Sequence, residues 1–253
     1  MSDNRLDIVF TAPHPDDLEI GMGGTIAKMV KLGHRVGMVH MTNGEPTPRG
    51  NPETRMEEMQ AAAKILGVQV VDMLGITNRE LMDGPPARYK VATALRKYRP
   101  KILVGMFGRT PGASPDHYQA QLITEASRFY SQLTKWNDRF DDTEPFRVDH
   151  LVYRPIRIAA EQHHFHSQFV IDITDTIDQK LEAIRCYKSQ FDEARSKWLE
   201  HYVRSSAGAE GASTGVLYGE TYALPRPLGV TDMVSLLGDW PIPPPFPADN
   251  PPK

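Results

Sequence analysis

Two short segments hold most of the residues able to do chemistry: Pro13-His14-Pro15-Asp16-Asp17-Leu18-Glu19 and Ser114-Pro115-Asp116-His117. The first follows an apolar, β-branched run, Asp7 to Ala12 (DIVFTA), that reads as a buried strand. Ligands of open α/β sheets bind beyond the carboxyl ends of the strands, which is where this segment falls. His14 and Asp17 are separated by two residues in a tight turn, so both side chains can converge on one metal ion. Imidazole nitrogen with carboxylate oxygen suits zinc, and iron, cobalt and manganese accept the same donors. Asp16 is then free to serve as a base on water, and Pro15 stiffens the turn. The plain alternative is an aspartate N-cap at a strand-to-helix turn beside a surface histidine. Paired carboxylates next to a histidine at a strand end are uncommon, which favours the chemical reading.

A catalytic zinc needs a third protein ligand and an open position. The loop after the run Lys101 to Phe107 (KILVGMF) carries His117, and it should leave the same sheet edge as His14. That makes His117 the best third ligand, ahead of His34 at the opposite end of its helix. His40 lies inside a strand and reads as core. The cluster His163-His164-Phe165-His166 has no carboxylates at ligand spacing and reads as a solvated or site-lining segment. His150 and His201 have no constellation around them.

The elements that must position these residues follow an α/β rhythm. Met22, Ile26, Met29 and Val30 recur at helical spacing up to Gly33, and Arg35 to Thr42 reads as a second strand. Asn51-Pro52-Glu53 is a helix start, with Met56, Met59, Ala63 and Leu66 on one face and Gly67 as the stop. Val68 to Leu74 is a third strand, Val91, Leu95 and Tyr98 mark a third helix, and Lys101 to Phe107 is a fourth strand. Such alternation predicts a mostly parallel, Rossmann-like sheet with helices on both faces. Beyond Asp149, Leu151 to Ile158 and Phe169 to Thr174 read as strands, and Thr176 with Gln179 forms a capping box. A helical region then runs to about Arg204, and Ser205 to Gly215 reads as a mobile loop. The expected organisation is one domain over residues 1–235 and a proline-rich arm over 236–253.

Composition narrows the function classes. The 253 residues are 40% hydrophobic, enough for a full core. With 29 Lys and Arg against 32 Asp and Glu, the net charge of −3 gives no footprint for nucleic acid or an anionic membrane. The single cysteine, Cys186, excludes an internal disulfide and a Cys-only zinc site. No signal core and no long apolar run is present, so a cytoplasmic protein without an integral membrane segment is expected.

His14-Pro15-Asp16-Asp17, Thr42-Asn43-Gly44-Glu45, Arg55-Met56-Glu57-Glu58 and Pro115-Asp116-His117, in this order, resemble the zinc-dependent N-acetylglucosaminyl deacetylases. That family, called PIG-L or LmbE-like, includes the bacillithiol and mycothiol pathway deacetylases and the diacetylchitobiose deacetylases. Asp172-Ile173-Thr174, Lys188-Ser189-Gln190 and Tyr218-Gly219-Glu220 are similar to its later landmarks, so the resemblance runs from about residue 6 to 223. It implies a hydrolase that removes the acetyl group of an N-acetylglucosamine-type amino sugar or its conjugate. One zinc ion would be held by His14, Asp17 and His117, with Asp16 as general base. Arg55 and Asp83 match sugar-contacting positions, and Glu45 and Ser114 belong beside the pocket. For Arg55 the competing reading is a helix-surface ion pair with Glu58. Relatives of this kind are often trimers or hexamers, so a homo-oligomer is expected.

One departure stands out: family members often carry a histidine where this chain has Ser114. Serine donates a hydrogen bond but is never a cation near neutral pH. Zinc would then stabilise the oxyanion, and either Asp16 acts as both base and acid or a histidine among His163, His164 and His166 takes the acid role. The rivals are a glycan-binding homologue without catalysis, an amidase acting on a non-sugar acetamide, and a nucleotide-binding domain. The last is disfavoured because Gly21, Gly23 and Gly24 lack the G-x-G-x-x-G spacing, and three carboxylates would repel a pyrophosphate.

Overall fold

The structure is a computed structural model that describes residues 5–156, 165 and 167–237. Five parallel strands are read in chain order: β1 (Ile8–Ala12), β2 (Val36–Thr42), β3 (Val70–Ile76), β4 (Ile102–Phe107) and β5 (His150–Pro155). Two more, β6 (Ser167–Asp172) and β7 (Gly219–Leu224), complete one sheet of order β3-β2-β1-β4-β5-β7-β6, with β7 antiparallel to both neighbours. Alternate residues of β1 feed two cores. Ile8, Phe10 and Ala12 pack under α1 (Asp17–Lys31) and α2 (Pro52–Leu66), while Val9 packs under α3 (Pro85–Tyr98) and α4 (Asp116–Tyr130). Burying one such side chain contributes roughly 1.5–3 kcal/mol, so a continuous apolar run is what a sheet covered on both faces requires.

Local chemistry sets the boundaries. The Asn51 side chain accepts from Thr54 N at 2.8 Å and Pro52 occupies the first turn of α2, which Gly67 ends at φ 76°. Two helices follow β6, namely α5 (Ile177–Ile184) and α6 (Glu193–Ala212), and a short α7 (Met233–Leu237) follows β7. Gly23 and Gly24 serve packing rather than phosphate binding: a Cβ on Gly24 would lie 2.6 Å from the Ile173 side chain. Close approach of the segment leading into α5 explains Gly24, and Lys180 of α5 itself, whose Cγ would lie 3.1 Å from a Cβ on Gly23, explains the other.

Two expectations change. The Gly/Ala/Ser stretch read as a loop from Ser205 is helical through Ala212. Its small residues admit close contact, since a Cβ on Gly211 would meet the Val216 carbonyl at 2.6 Å. The capping box does not form: the Thr176 hydroxyl donates to Gly24 O, and Gln179 Nε2 donates to Ile65 O. Both side chains tie α5 to its neighbours instead. The predicted strands β5 and β6 exist but are separated by β7, which pairs with each. His163, His164, His166 and the proline-rich residues from 238 onward lie outside the described residues. No described helix is long and apolar enough to cross a membrane.

β1 and β4 are neighbours, yet their following helices pack on opposite faces. The loops after them therefore open a crevice at this point of the sheet, where α/β proteins place their ligands.

Candidate metal centre and active site

The turn after β1 is clamped by its neighbours. Pro13 O accepts from both the backbone N and the hydroxyl of Thr42, each at 2.9 Å. His14 O accepts from His40 Nδ1 at 3.1 Å; a carbonyl cannot donate, so Nδ1 carries the proton. Burial pushes His40 down to about 4, which keeps it neutral under the turn. Asp16 takes a left-handed conformation at φ 97°, which costs a non-glycine residue on the order of 1–2 kcal/mol. The Asp16 side chain makes no cap hydrogen bond, so the N-cap alternative does not account for it.

Three side chains converge as the sequence predicts. His14 Nδ1 lies 3.0 Å from Asp17 Oδ2, His117 Nε2 lies 3.3 Å from Asp17 Oδ1, and candidate ligand atoms of all three lie within 4.8 Å of one another. The remaining ring nitrogens are held by groups that determine their protonation. His14 Nε2 contacts Asp116 Oδ2 at 3.1 Å, and an ionised carboxylate only accepts, so Nε2 carries a proton and Nδ1 faces the cluster. The Thr110 hydroxyl donates to Ser114 O, leaving its lone pair for His117 Nδ1 at 3.0 Å. Nε2 of His117 is thereby turned toward Asp17. Second partners of this kind are how metal-binding histidines are oriented.

Electrostatics fit the same arrangement. Burial lowers the His14 pKa, but Asp116 and Asp17 outweigh it and push the group up to about 10. His117 is likewise raised, with Asp17 overcoming its burial. Burial favours the neutral form of Asp17 too, yet His117 and His14 hold its carboxyl far below the usual range. The metal-free cluster thus favours positive charge on both imidazoles around Asp17, where a cation would sit. The donor set of two imidazoles and one carboxylate fits zinc.

Asp16 is set apart from these ligands. Its side chain is 17% exposed and faces a cavity of about 510 Å³ that His14, Arg55, Asn78, Arg79 and Ser114 also line. Burial and the neighbouring Asp17 push its carboxyl up to about 7, against Arg55, His14 and His117. Two adjacent carboxylates thus have opposed proton affinities, which is the signature of separate roles.

Arg55 is nearly inaccessible, so the surface ion pair with Glu58 does not form; Glu58 accepts from Ser189 N and Oγ instead. The Arg55 guanidinium donates to Pro15 O, lies 3.6 Å from Asp16 Oδ2 and sits 5.4 Å from the centre of the Tyr187 ring. Its Nε and Nη1 have no partner among the described residues. Gly44, at φ +74°, leaves room for it, since a Cβ there would lie 2.9 Å from Arg55 Nη2. Ser114 reaches the cavity wall, and its Oγ accepts from Asp116 N at 3.3 Å. Glu45 is turned onto Thr47 N and Oγ1, and Thr47 rather than Glu45 reaches the cavity. Asp83 is paired with Arg88 at 2.7 and 2.6 Å and is not among the residues lining the cavity.

Asp116, Thr110, His40, Asn78 and Arg79 were not assigned from sequence. For Asp116 a signal existed, because a carboxylate adjoining a ligand histidine is a common orienting partner. The others act through contacts between distant segments, such as Arg79 N donating to Asp116 Oδ2 at 3.1 Å.

Known proteins share this frame. The family model PIG-L, described as GlcNAc-PI de-N-acetylase, matches residues 9–127, from β1 through most of α4. The diacetylchitobiose deacetylase of Thermococcus kodakarensis is 30% identical over 219 residues, covering 82% of this chain and 79% of that one. A conserved protein of Thermus thermophilus superposes with a TM-score of 0.77 at 32% identity, covering 89% of this chain and 97% of its own. The N,N'-diacetylchitobiose deacetylase of Pyrococcus horikoshii, crystallised with an inhibitor, gives 0.74 at 29% identity, with 86% and 83% covered. The matched region contains both sheet-edge loops and their histidines, and the likeness extends over four-fifths of the chain: this protein belongs to the PIG-L family.

Proposed function

We propose that the protein is a zinc-dependent hydrolase that removes the acetyl group from an N-acetylglucosamine-type amino sugar or its conjugate. The observation that carries this reading is the division of labour between adjacent carboxylates. Asp17 is held ionised between two oriented imidazoles, while Asp16 faces the cavity beside Arg55 with a raised proton affinity. His14, Asp17 and His117 would hold the ion. When bound, zinc supplies Lewis acidity toward the amide carbonyl and a water of lowered pKa.

Asp16 accepts a proton from the attacking water as the C–O bond to the acetyl carbon forms. The same carboxyl then returns that proton to the amine nitrogen as the C–N bond breaks, releasing acetate and the free amine. A proton affinity near neutrality suits one group for both transfers. Arg55 stands in the cavity wall 3.6 Å from Asp16, and its contact with Pro15 O steadies the turn that aims Asp16. Ser114 supplies a hydroxyl at the cavity wall in place of an imidazolium. The relatives named above as deacetylases support the reaction class, and the expected setting is a cytoplasmic homo-oligomer, trimer or hexamer, acting on a small molecule.

The test is amine release from a panel of N-acetylglucosamine conjugates and simple acetamides, with chelated and zinc-reconstituted protein. Turnover of sugar substrates that depends on zinc is expected. Binding of sugars without amine release would establish instead a glycan-binding homologue, and preference for non-sugar acetamides a different amidase.

A further inference from the structure

A cavity of about 370 Å³ lies at the amino ends of β4 and β5, the opposite end of the sheet from the metal centre. His150, the first residue of β5, lines it and pairs with Ile102, the first residue of β4. The chain leaving β7 at Leu224 passes along the cavity with Pro225, Arg226 and Leu228. α4 supplies Arg128, eleven residues after His117, so about 17 Å of one rigid helix separates the cavity from the metal ligand.

Charge here is one-sided. Burial pushes the Arg128 guanidinium down, and the cations Arg147 and Arg226 push it the same way, opposed by the carboxylate of Asp149. None of these three arginines forms a salt bridge among the described residues. Arg128 Nη2 donates to the Asp149 carbonyl at 2.8 Å, and its Nε is buried with no acceptor among the described residues. The buried arginines away from the active site are held differently. Arg154 is gripped by Glu210, and Arg96 donates to the carbonyls of Ser131, Leu133 and Thr143. Cations gathered round a half-buried guanidinium repel one another, and a buried donor without an acceptor is destabilising; an anion relieves the first and supplies oxygens toward the second.

The planar fork of arginine matches the paired oxygens of a carboxylate or a phosphate. Leu151, Leu224 and Leu228 set apolar wall beside the cations, and the volume falls in the range of small-molecule sites, about 300–1,000 Å³. With a net charge of −3 the chain as a whole does not attract anions, so attraction has to come from this local cluster. We infer that the cavity binds a small organic anion, a carboxylate or phosphate monoester, whose oxygens meet Arg128 and Arg226 and whose apolar body lies against the leucines. The inference is independent of the hydrolase reading.

Isothermal titration calorimetry of the full chain tests it, with phenyl phosphate, benzoate, inorganic phosphate and benzyl alcohol as probes, on zinc-loaded protein and again after chelation. Phenyl phosphate or benzoate should bind at one per chain in both states, the tighter of the two identifying the preferred oxyanion. Inorganic phosphate should bind more weakly, and benzyl alcohol should not bind. Arg226 is exposed and outside every helix and strand, so Arg226→Gln tests the charge without disturbing the fold. It should weaken the organic anion about tenfold or more, the weight of one charge-assisted hydrogen bond. Arg128→Gln should do the same, and Arg226→Gln carries the test alone if Arg128→Gln loses its folded circular-dichroism spectrum. Arg79→Gln, in the wall of the metal-centre cavity, should leave this binding unchanged. No binding at low millimolar concentration overturns the inference, as does binding that disappears on chelation. Native affinity in Arg226→Gln, or equal binding of benzyl alcohol, overturns it as well.

Discussion

Replacing Asp116 by alanine removes a carboxylate that touches no metal position yet fixes the ring that does. Asp116 is 1% exposed, and its Oδ2 meets both His14 Nε2 and Arg79 N at 3.1 Å. Its carboxyl is held below the usual range: burial works against ionisation, and the His14 hydrogen bond outweighs it. Without it, His14 loses the acceptor that keeps the proton on Nε2, and with it the tautomer that presents Nδ1 beside Asp17. Orienting partners of ligand histidines are worth about 10–100-fold in metal affinity, or roughly 1.4–2.7 kcal/mol. Thr110 does the equivalent work for His117 with a neutral hydroxyl, worth about 0.5–1.5 kcal/mol. Zinc affinity, measured by competition with a chromophoric chelator near pH 7, should therefore fall most in Asp116→Ala and less in Thr110→Val. Asp116→Asn, which keeps one acceptor oxygen, should fall between Asp116→Ala and the native protein. Thermal melts of the zinc-free proteins separate this from loss of fold. Native affinity in folded Asp116→Ala, or a larger loss in Thr110→Val, refutes the reasoning.

His117→Ala removes one of three ligands and should abolish most zinc binding, read by elemental analysis after gel filtration. Ser114→Ala should lower turnover by no more than about tenfold, the weight of one ordinary hydrogen bond; a hundredfold loss at unchanged zinc content would make Ser114 a proton donor in its own right. Acid stability should report the buried pair of Glu210 and Arg154, which meet at 2.6 Å. Burial alone would raise the Glu210 carboxyl, but Arg154 overcomes it and holds the group at about 2, against 4.5 when unpaired. A lowered folded pKa means the stabilisation is complete above about pH 4.5 and is lost as the pH falls toward 2, to the extent of about 3 kcal/mol. Denaturant titrations across that window should show a drop that Glu210→Gln largely removes.

The first half of the fold was legible because its strands are mostly apolar runs between clear helix signals, as at Asn51-Pro52 and Gly67. The second half hid for physical reasons. β7 contains Gly219 and Glu220, a poor strand pattern on its face. Glu220 is fully buried and neutralised by Lys180 at 2.6 Å, a partner no local window reveals. α6 looked like a loop because glycine, alanine and serine there serve close packing against the chain entering β7 rather than flexibility. At the site, His14, Asp17 and His117 could be found because strand-end logic puts the loops after β1 and β4 together. His40 read as core, and it is buried; that it also holds the His14 carbonyl is visible only once β2 lies beside β1. Arg55 pointed the same way: its helix was legible, but its inward turn depends on Gly44 and Tyr187.

The central claim is that Asp17 binds metal while Asp16, beside it, moves protons. Zinc stoichiometry and amine release measured on one preparation of Asp16→Asn test it directly. About one zinc per chain with turnover lowered on the order of 10²–10⁴-fold is the predicted result. Loss of the metal, or retention of turnover within a few-fold of the native protein, would contradict it.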